Sequence, residues 1–342
     1  DQSAPAPLVL FLHGGGQTRH AWGGAAARLA EAGFPTLTVD HRGHGDSSWA
    51  EDGDYLFPRF ADDLDALLAL LGAKPILVGA SLGGLSAMAV EARHAAAVSS
   101  GIVLVDVTPR LEREGVMRII EFMMERKDGF ASLDEVSAFV ASYLPHRPRP
   151  QRSGGLEKNL RRGEDGRYRW HWDPQVLNAW TPGRYSDSEA QSLIEDRLEA
   201  AKRLDVPVLL VRGRMSDVVS EDSVREFLGC CPHAEYVDLE GAAHMVAGDK
   251  NDAFGEVVLD FVQRLRHDAA SAHIVLAIHV VPGVVAIAVG IIAQDPGGAA
   301  GELDPAGESV GHAQGSCGAA ELVVEPADDH RMGALRLDAG LL

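Results

Sequence analysis

Cysteine is scarce: three residues in 342, two adjacent (Cys230, Cys231) and one distant (Cys317). That excludes a disulfide framework and offers no metal-ligand spacing, so no metal is expected. Positive charge is also short. Lysine and arginine total 31 against 50 acidic residues, giving a formal charge of −19 and a pI near 5.1. Nucleic acid and anionic membrane surfaces both require clustered cations, so neither is an expected partner. A secretory leader is not visible. The chain opens at Asp1 without methionine and enters a strand almost at once, so it reads as a fragment. A cytoplasmic location is the expectation, with secretion left open.

What is present is apolar and rhythmic. With 46% hydrophobic residues the chain can bury a full core. Leu8-Val9-Leu10-Phe11-Leu12-His13 is a continuous apolar run, the pattern of a strand covered on both faces. A helical stretch follows from about His20 to Ala32, then strands at Thr36–Asp40, Pro75–Gly79 and Gly101–Asp106. Between them Leu64, Leu67, Leu68 and Leu71 fall at helical spacing, and Gly72 stops that helix. The alternation resumes with strands at Val208–Val211 and Tyr236–Leu239. A last helix carries Phe254, Val257, Val258, Phe261, Val262 and Leu265 on one stripe. Strands alternating with helices, joined by connections long enough for crossovers, predict an α/β fold with a mostly parallel, doubly wound sheet.

Residues 109–204 break this rhythm. Charged helical segments there surround a middle rich in proline, arginine and tryptophan, which reads as an inserted helical cap. The expected organisation is core at 1–108, cap at 109–204, core again at 205–267, and a low-complexity tail at 268–342 that is disordered or spurious. Ala272 to Ala293 is long and apolar enough to span a bilayer. No basic cluster flanks it, which disfavours a membrane span.

The chemistry centres on Gly79-Ala80-Ser81-Leu82-Gly83, a G-x-S-x-G turn between a strand and a helix. A serine at the tip of such a turn is exposed for attack, and the first amides of the next helix point where negative charge develops. The competing reading is an ordinary βα turn whose serine caps the helix. A base is expected at His244, in the loop after the last strand. Strand ends also carry His13, His41 and His44, for which a structural role is preferred. Two acids compete to orient the base. Asp217 follows the strand beside the His244 loop and is preferred; Asp106 follows the strand beside the serine turn and is read as anchoring the entry to the cap. The Leu82 amide and that of Gly15 or Gly16 are candidates to stabilise an oxyanion. A phosphate-cradling role for Gly14–Gly16 is weak, because no Lys-Ser/Thr follows.

His13-Gly14-Gly15-Gly16, Asp40-His41-Arg42-Gly43-His44-Gly45-Asp46-Ser47, the serine turn, Gly213 to Asp217 and Gly241 to His244 together resemble the ordered signatures of the α/β-hydrolase superfamily, over roughly residues 8–266. The resemblance implies Ser81 as nucleophile, Asp217 as acid, His244 as base, and Gly15 with Leu82 as oxyanion amides. With serine at the nucleophile position it points to the esterases. The antiparallel strands that usually precede the first motif are missing, and the tail has no counterpart. The expected activity is hydrolysis of a carboxylic ester or related acyl substrate of small size, and this triad chemistry needs no cofactor. Lactone or C–C hydrolysis, cofactor-free perhydrolysis, cyanohydrin cleavage and a non-catalytic binding role are the alternatives. Gly16, Trp170 and Trp172 are expected at the substrate. Trp180 and Tyr168 join them as pocket candidates, with the cap's own core as the equal alternative for these aromatics. Neither the substrate nor the oligomeric state is legible.

Overall fold

The computed structural model describes residues 6–143, 156–181, 184–246, 251–268, 289–292 and 319–322. In chain order the core begins with β1 (Val9–Leu12), α1 (Gly23–Glu31), β2 (Thr36–Val39), α2 (Phe57–Leu71), β3 (Ile76–Ala80), α3 (Leu82–Arg93) and β4 (Gly101–Val105). The interruption holds α4 (Arg113–Met124), α5 (Leu133–Tyr143), the hairpin β5 (Leu160–Arg162) and β6 (Tyr168–Trp170), and α6 (Val176–Trp180). The chain returns through α7 (Asp187–Lys202), β7 (Val208–Gly213), α8 (Glu221–Cys230), β8 (Glu235–Leu239) and α9 (Asn251–Asp268), and adds β9 (Val289–Ile292) and β10 (Ala319–Leu322).

Six strands, in the order β2-β1-β3-β4-β7-β8, are parallel throughout. Register follows the apolar runs: Val9 lies between Thr36 and Ile76, and Ile102 pairs with Val208. Alternation within each run divides the core. Leu10, Leu12, Leu77 and Leu104 face α2, α3, α7 and α8, whereas Val9, Phe11, Val78 and Val103 face α1 and α9. These strand residues are essentially inaccessible, and truncating one such leucine to alanine costs about 2–5 kcal/mol. Gly72 ends α2 in the left-handed conformation (φ +59°), its N–H donating to Leu68 O. Phe254, Val258, Phe261, Val262 and Leu265 of α9 are buried, as the stripe predicts.

Two boundaries differ from expectation. Helix α7 packs against α3 and α8, so the end of the presumed cap belongs by packing to the layer beneath the sheet. Two stretches of the presumed tail are strands: β9 pairs antiparallel with β2, and β10 antiparallel with β9. They extend the sheet antiparallel beyond β2, and main-chain pairing requires little of a side-chain pattern. No helix among the described residues is long and apolar enough to cross a membrane. The rest of Ala272–Ala293 lies outside the described residues.

Candidate active site

The carboxyl ends of β1, β3, β4, β7 and β8 form one rim, the usual place for reactive groups in an open parallel sheet. Ser81 sits there between β3 and α3 with φ +46° and ψ −112°, a left-handed conformation that an L residue adopts only at a cost of about 1–3 kcal/mol. The flanking glycines allow it. A Cβ added at Gly79 would lie 2.5 Å from Gly84 N and 2.6 Å from Gly83 O. Ser81 N–H donates to Val105 O (3.3 Å), and Leu85 N–H closes the first helical turn on Ser81 O (3.0 Å). Leu82 is the first residue of α3, so its N–H has no carbonyl partner within the helix.

His244 follows β8 and is partly exposed. Its Nδ1 donates to Asp106 Oδ2 at 2.7 Å, which leaves Nε2 of the neutral ring as an acceptor. Asp106 is fully buried and, like Ser81, has a positive φ (+47°). Its carboxylate accepts two further hydrogen bonds, from Gly213 N–H at 2.9 Å and from the Ser216 hydroxyl at 2.5 Å. Ser216 Oγ in turn accepts from Val218 and Val219 N–H, both at 3.1 Å.

The structure brings Asp106, and not the preferred Asp217, to His244. After β7 the chain turns tightly, with Ser216 N–H donating to Gly213 O and Met215 N–H to Ala242 O, both at 2.8 Å. The turn directs Ser216 inward and Asp217 outward. Asp217 is 44% exposed and pairs with Arg118 of α4 at 2.6 Å. It holds the first cap helix, the anchoring role expected of Asp106, while Asp106 meets the histidine. The sequence signal for Asp106 was its position just after a continuous apolar strand, beside the strand that carries the serine.

The loop after β1 lies against the serine turn: a Cβ added at Gly14 would be 3.4 Å from Ser81 Cβ. Three buried histidines brace this loop. His13 Nδ1 donates to Gly14 O (2.7 Å), and its Nε2 accepts from His41 N–H (3.0 Å). His41 Nε2 donates to His13 O (3.1 Å). His44 Nδ1 donates to Arg42 O (2.9 Å), and its Nε2 accepts from Gly16 N–H (3.1 Å). Burial lowers the pKa of all three; His44 falls to about 4, and His13 and His41 lie well below the ordinary value. Asp40, also fully buried, binds Arg19 through both the backbone N–H (2.6 Å) and the guanidinium.

The cap supplies a roof. A Cβ at Gly15 would lie 2.5 Å from Trp180 Cη2, and one at Gly16 would lie 2.8 Å from Met123 Cε. Trp180 also approaches Phe60 (ring centroids 6.5 Å) and joins a cluster with Leu82, Val176 and Ala179. The other expected aromatics are less direct. Trp170 packs in the cap's own core against Phe122, Phe130 and Phe139, and the Tyr168 backbone bridges Phe130. Trp172 is buried beside Met123 and Leu177, and its backbone bridges His44. Met123 and Phe60 were not singled out in sequence; each falls on an ordinary helical stripe. Among the described residues no cluster of side chains could hold a metal ion.

A sequence profile of the alpha/beta hydrolase fold matches residues 7–250. An esterase of Mycobacterium tuberculosis is 33% identical over 261 residues, covering 74% of this chain and 82% of the relative. A 2-(acetamidomethylene)succinate hydrolase of Mesorhizobium japonicum is 28% identical over 259 residues, covering 75% and 87%. Among solved structures, an E-2-(acetamidomethylene)succinate hydrolase superposes with a TM-score of 0.64 at 25% identity, covering 75% of this chain and 91% of that one.

Proposed function

The chain belongs to the α/β-hydrolase family and is a hydrolase, and from that premise we propose a serine hydrolase that cleaves a carboxylic ester or related acyl substrate through an acyl-enzyme. The observation that carries this reading is the His244 Nδ1–Asp106 hydrogen bond on the rim that also presents Ser81.

In this mechanism His244 Nε2 takes the Ser81 hydroxyl proton as Oγ attacks the substrate carbonyl. The tetrahedral oxyanion accepts hydrogen bonds from Leu82 N–H and Gly15 N–H. Gly15 is preferred over Gly16 because the Gly16 amide is already committed to His44. Each such donor is worth about 3 kcal/mol in the transition state. Collapse expels the alcohol, which takes its proton from His244. A water then gives a proton to His244 and attacks the acyl–Ser81 carbonyl; the acid leaves and Ser81 Oγ recovers its proton. Asp106 fixes the tautomer and stabilises the imidazolium formed in each half-reaction. Trp180 and Met123, lying over the glycines, line the acyl pocket.

The test is labelling with a fluorophosphonate and hydrolysis of a panel of p-nitrophenyl esters. Peptide mapping should locate the adduct on Ser81, and Ser81→Ala should lose both label and turnover. A Ser81→Ala protein with wild-type turnover would refute the assignment.

A further inference from the structure

The proposed mechanism uses the glycine loop but not the histidine beneath it. Nδ1 of His44 lies 2.9 Å from a carbonyl oxygen, that of Arg42, so it must donate. In a neutral ring Nε2 then has only a lone pair to offer, and the group it meets is Gly16 N–H at 3.1 Å. Gly16 has φ +75°, a conformation glycine reaches without steric cost, and the bond to His44 ties the direction of its peptide plane to the ring. That plane follows Gly15, whose amide is assigned to the oxyanion. His44 also makes ring contacts with His13 (centroids 5.1 Å) and Phe60 (6.5 Å), so it has little freedom to follow a moving loop.

The backbone around His44 is tied to the cap. Gly45 N–H donates to His171 O and Asp173 N–H to Gly43 O, both at 2.7 Å, and His44 forms a bridge with Trp172. Tyr55 clamps the cap segment after β6 from the core side: its hydroxyl donates to Asp173 Oδ2 (2.6 Å) and accepts from Ala50 N–H (2.8 Å). One short segment, Gly43–Gly45, thus contacts the glycine loop on one side and the cap on the other.

We propose that His44 is a positioning residue that aims the oxyanion amides, and that through Gly43–Gly45 it makes their aim depend on the seating of the cap. The inference rests on the serine hydrolase reading and adds a residue to which that mechanism gives no step. A neutral ring is what this role requires. Burial holds the His44 pKa near 4, so the Nε2 lone pair persists at any ordinary working pH.

Three substitutions separate aiming from mere packing. His44→Gln can present an acceptor near Nε2. His44→Asn retains a donor toward Arg42 O but is too short to reach Gly16, and His44→Phe fills the space without an acceptor. A displacement of about 1 Å at a reacting group can cost about 100-fold, so kcat should fall about 10- to 100-fold in the Asn and Phe variants. KM should change little, and affinity for a trifluoromethyl ketone, which mimics the tetrahedral adduct, should fall in parallel. The Gln variant should stay within about 5-fold of wild type, and Tyr55→Phe should show a weaker loss of the same kind. The inference is overturned if the Asn and Phe variants keep wild-type kcat and ketone affinity, or if Gln is as impaired as Phe. It is also overturned if the losses appear in KM alone. Fluorophosphonate labelling of the wild-type chain separates the two claims. Label on Ser81 with unaffected His44 variants defeats this inference alone, whereas no label on Ser81 defeats the hydrolase reading with it.

Discussion

Two aspartates leave the sheet on neighbouring strands, one after β4 and one after β7, and their surroundings could hardly differ more. Asp106 is fully buried in a strained conformation, with an amide, a hydroxyl and an imidazole donating to its carboxylate. Asp217 is 44% exposed and its partner Arg118 is 51% exposed. An ion pair in water of this kind is worth about 0–1 kcal/mol. A carboxylate with three fixed donors and no solvent can orient a ring to a fraction of an ångström; one on a solvated arginine cannot. The difference lies less in the residue than in the turn after β7, which sends Ser216 in and Asp217 out.

The largest test of this comparison asks whether the Asp106 side of the rim carries the chemistry at all. Ser81→Ala should lower kcat by about 10⁴- to 10⁶-fold, read with the best ester of the panel. A loss under 10-fold would remove the reason for comparing the two acids.

Acid should separate the regions next. His13, His41 and His44, packed around Asp40 and near Arg19 and Asp173, are buried and neutral with lowered pKa values. Unfolded histidines protonate near pH 6.5, so between that pH and about 4 the unfolded chain binds more protons. Stability is complete above about pH 6.5 and declines as the pH falls; His44 alone accounts for about 3 kcal/mol by pH 4. Melting temperature measured from pH 7 to 4 should fall steadily, and should fall alike in Asp217→Asn. A flat profile would contradict the neutral cluster.

A smaller effect is expected at Ser216. Ser216→Ala removes one donor from Asp106 Oδ2 and should lower kcat about 10-fold with KM nearly unchanged, because the carboxylate facing His244 is held less firmly. Ser216→Thr should restore most of the rate. Unchanged kcat in Ser216→Ala would show that the serine only shapes the turn. The least effect belongs to the outer pair: Arg118→Gln should leave kcat within about 3-fold and the melting temperature nearly unchanged, as befits an exposed ion pair.

Most of the sheet was legible because strands covered on both faces need continuous apolar runs, and Val9–Leu12, Ile76–Val78 and Gly101–Val105 can serve little else. The turn at Ser81 was legible for a backbone reason, since it demands glycine on either side. The place of His244 on the same rim was legible from its position after the last core strand. Which aspartate meets His244 was not. It depends on a positive φ at Asp106 and a turn at Gly213–Ser216 that no local pattern encodes, and both aspartates follow apolar strands. Among the cap aromatics the sequence reading put Trp170 and Trp172 at the substrate and kept Trp180 only as a further candidate. Only the path of the chain decides that Trp180 reaches Gly15 while Trp170 fills the cap's own core. The short strands β9 and β10 were hidden for a related reason: pairing at a sheet edge uses main-chain groups, which every residue has.

The central claim is that the acid serving His244 is Asp106. Its most direct test is the kcat of two folded variants, Asp106→Asn and Asp217→Asn, on one ester under identical conditions. Replacing the orienting carboxylate by an amide favours the wrong tautomer of the ring and can cost about 10⁴-fold, so Asp106→Asn should fall by about that factor. Asp217→Asn should stay within about 3-fold of wild type, as expected for an exposed pair. A near-inactive Asp217→Asn beside a near-normal Asp106→Asn would contradict the account.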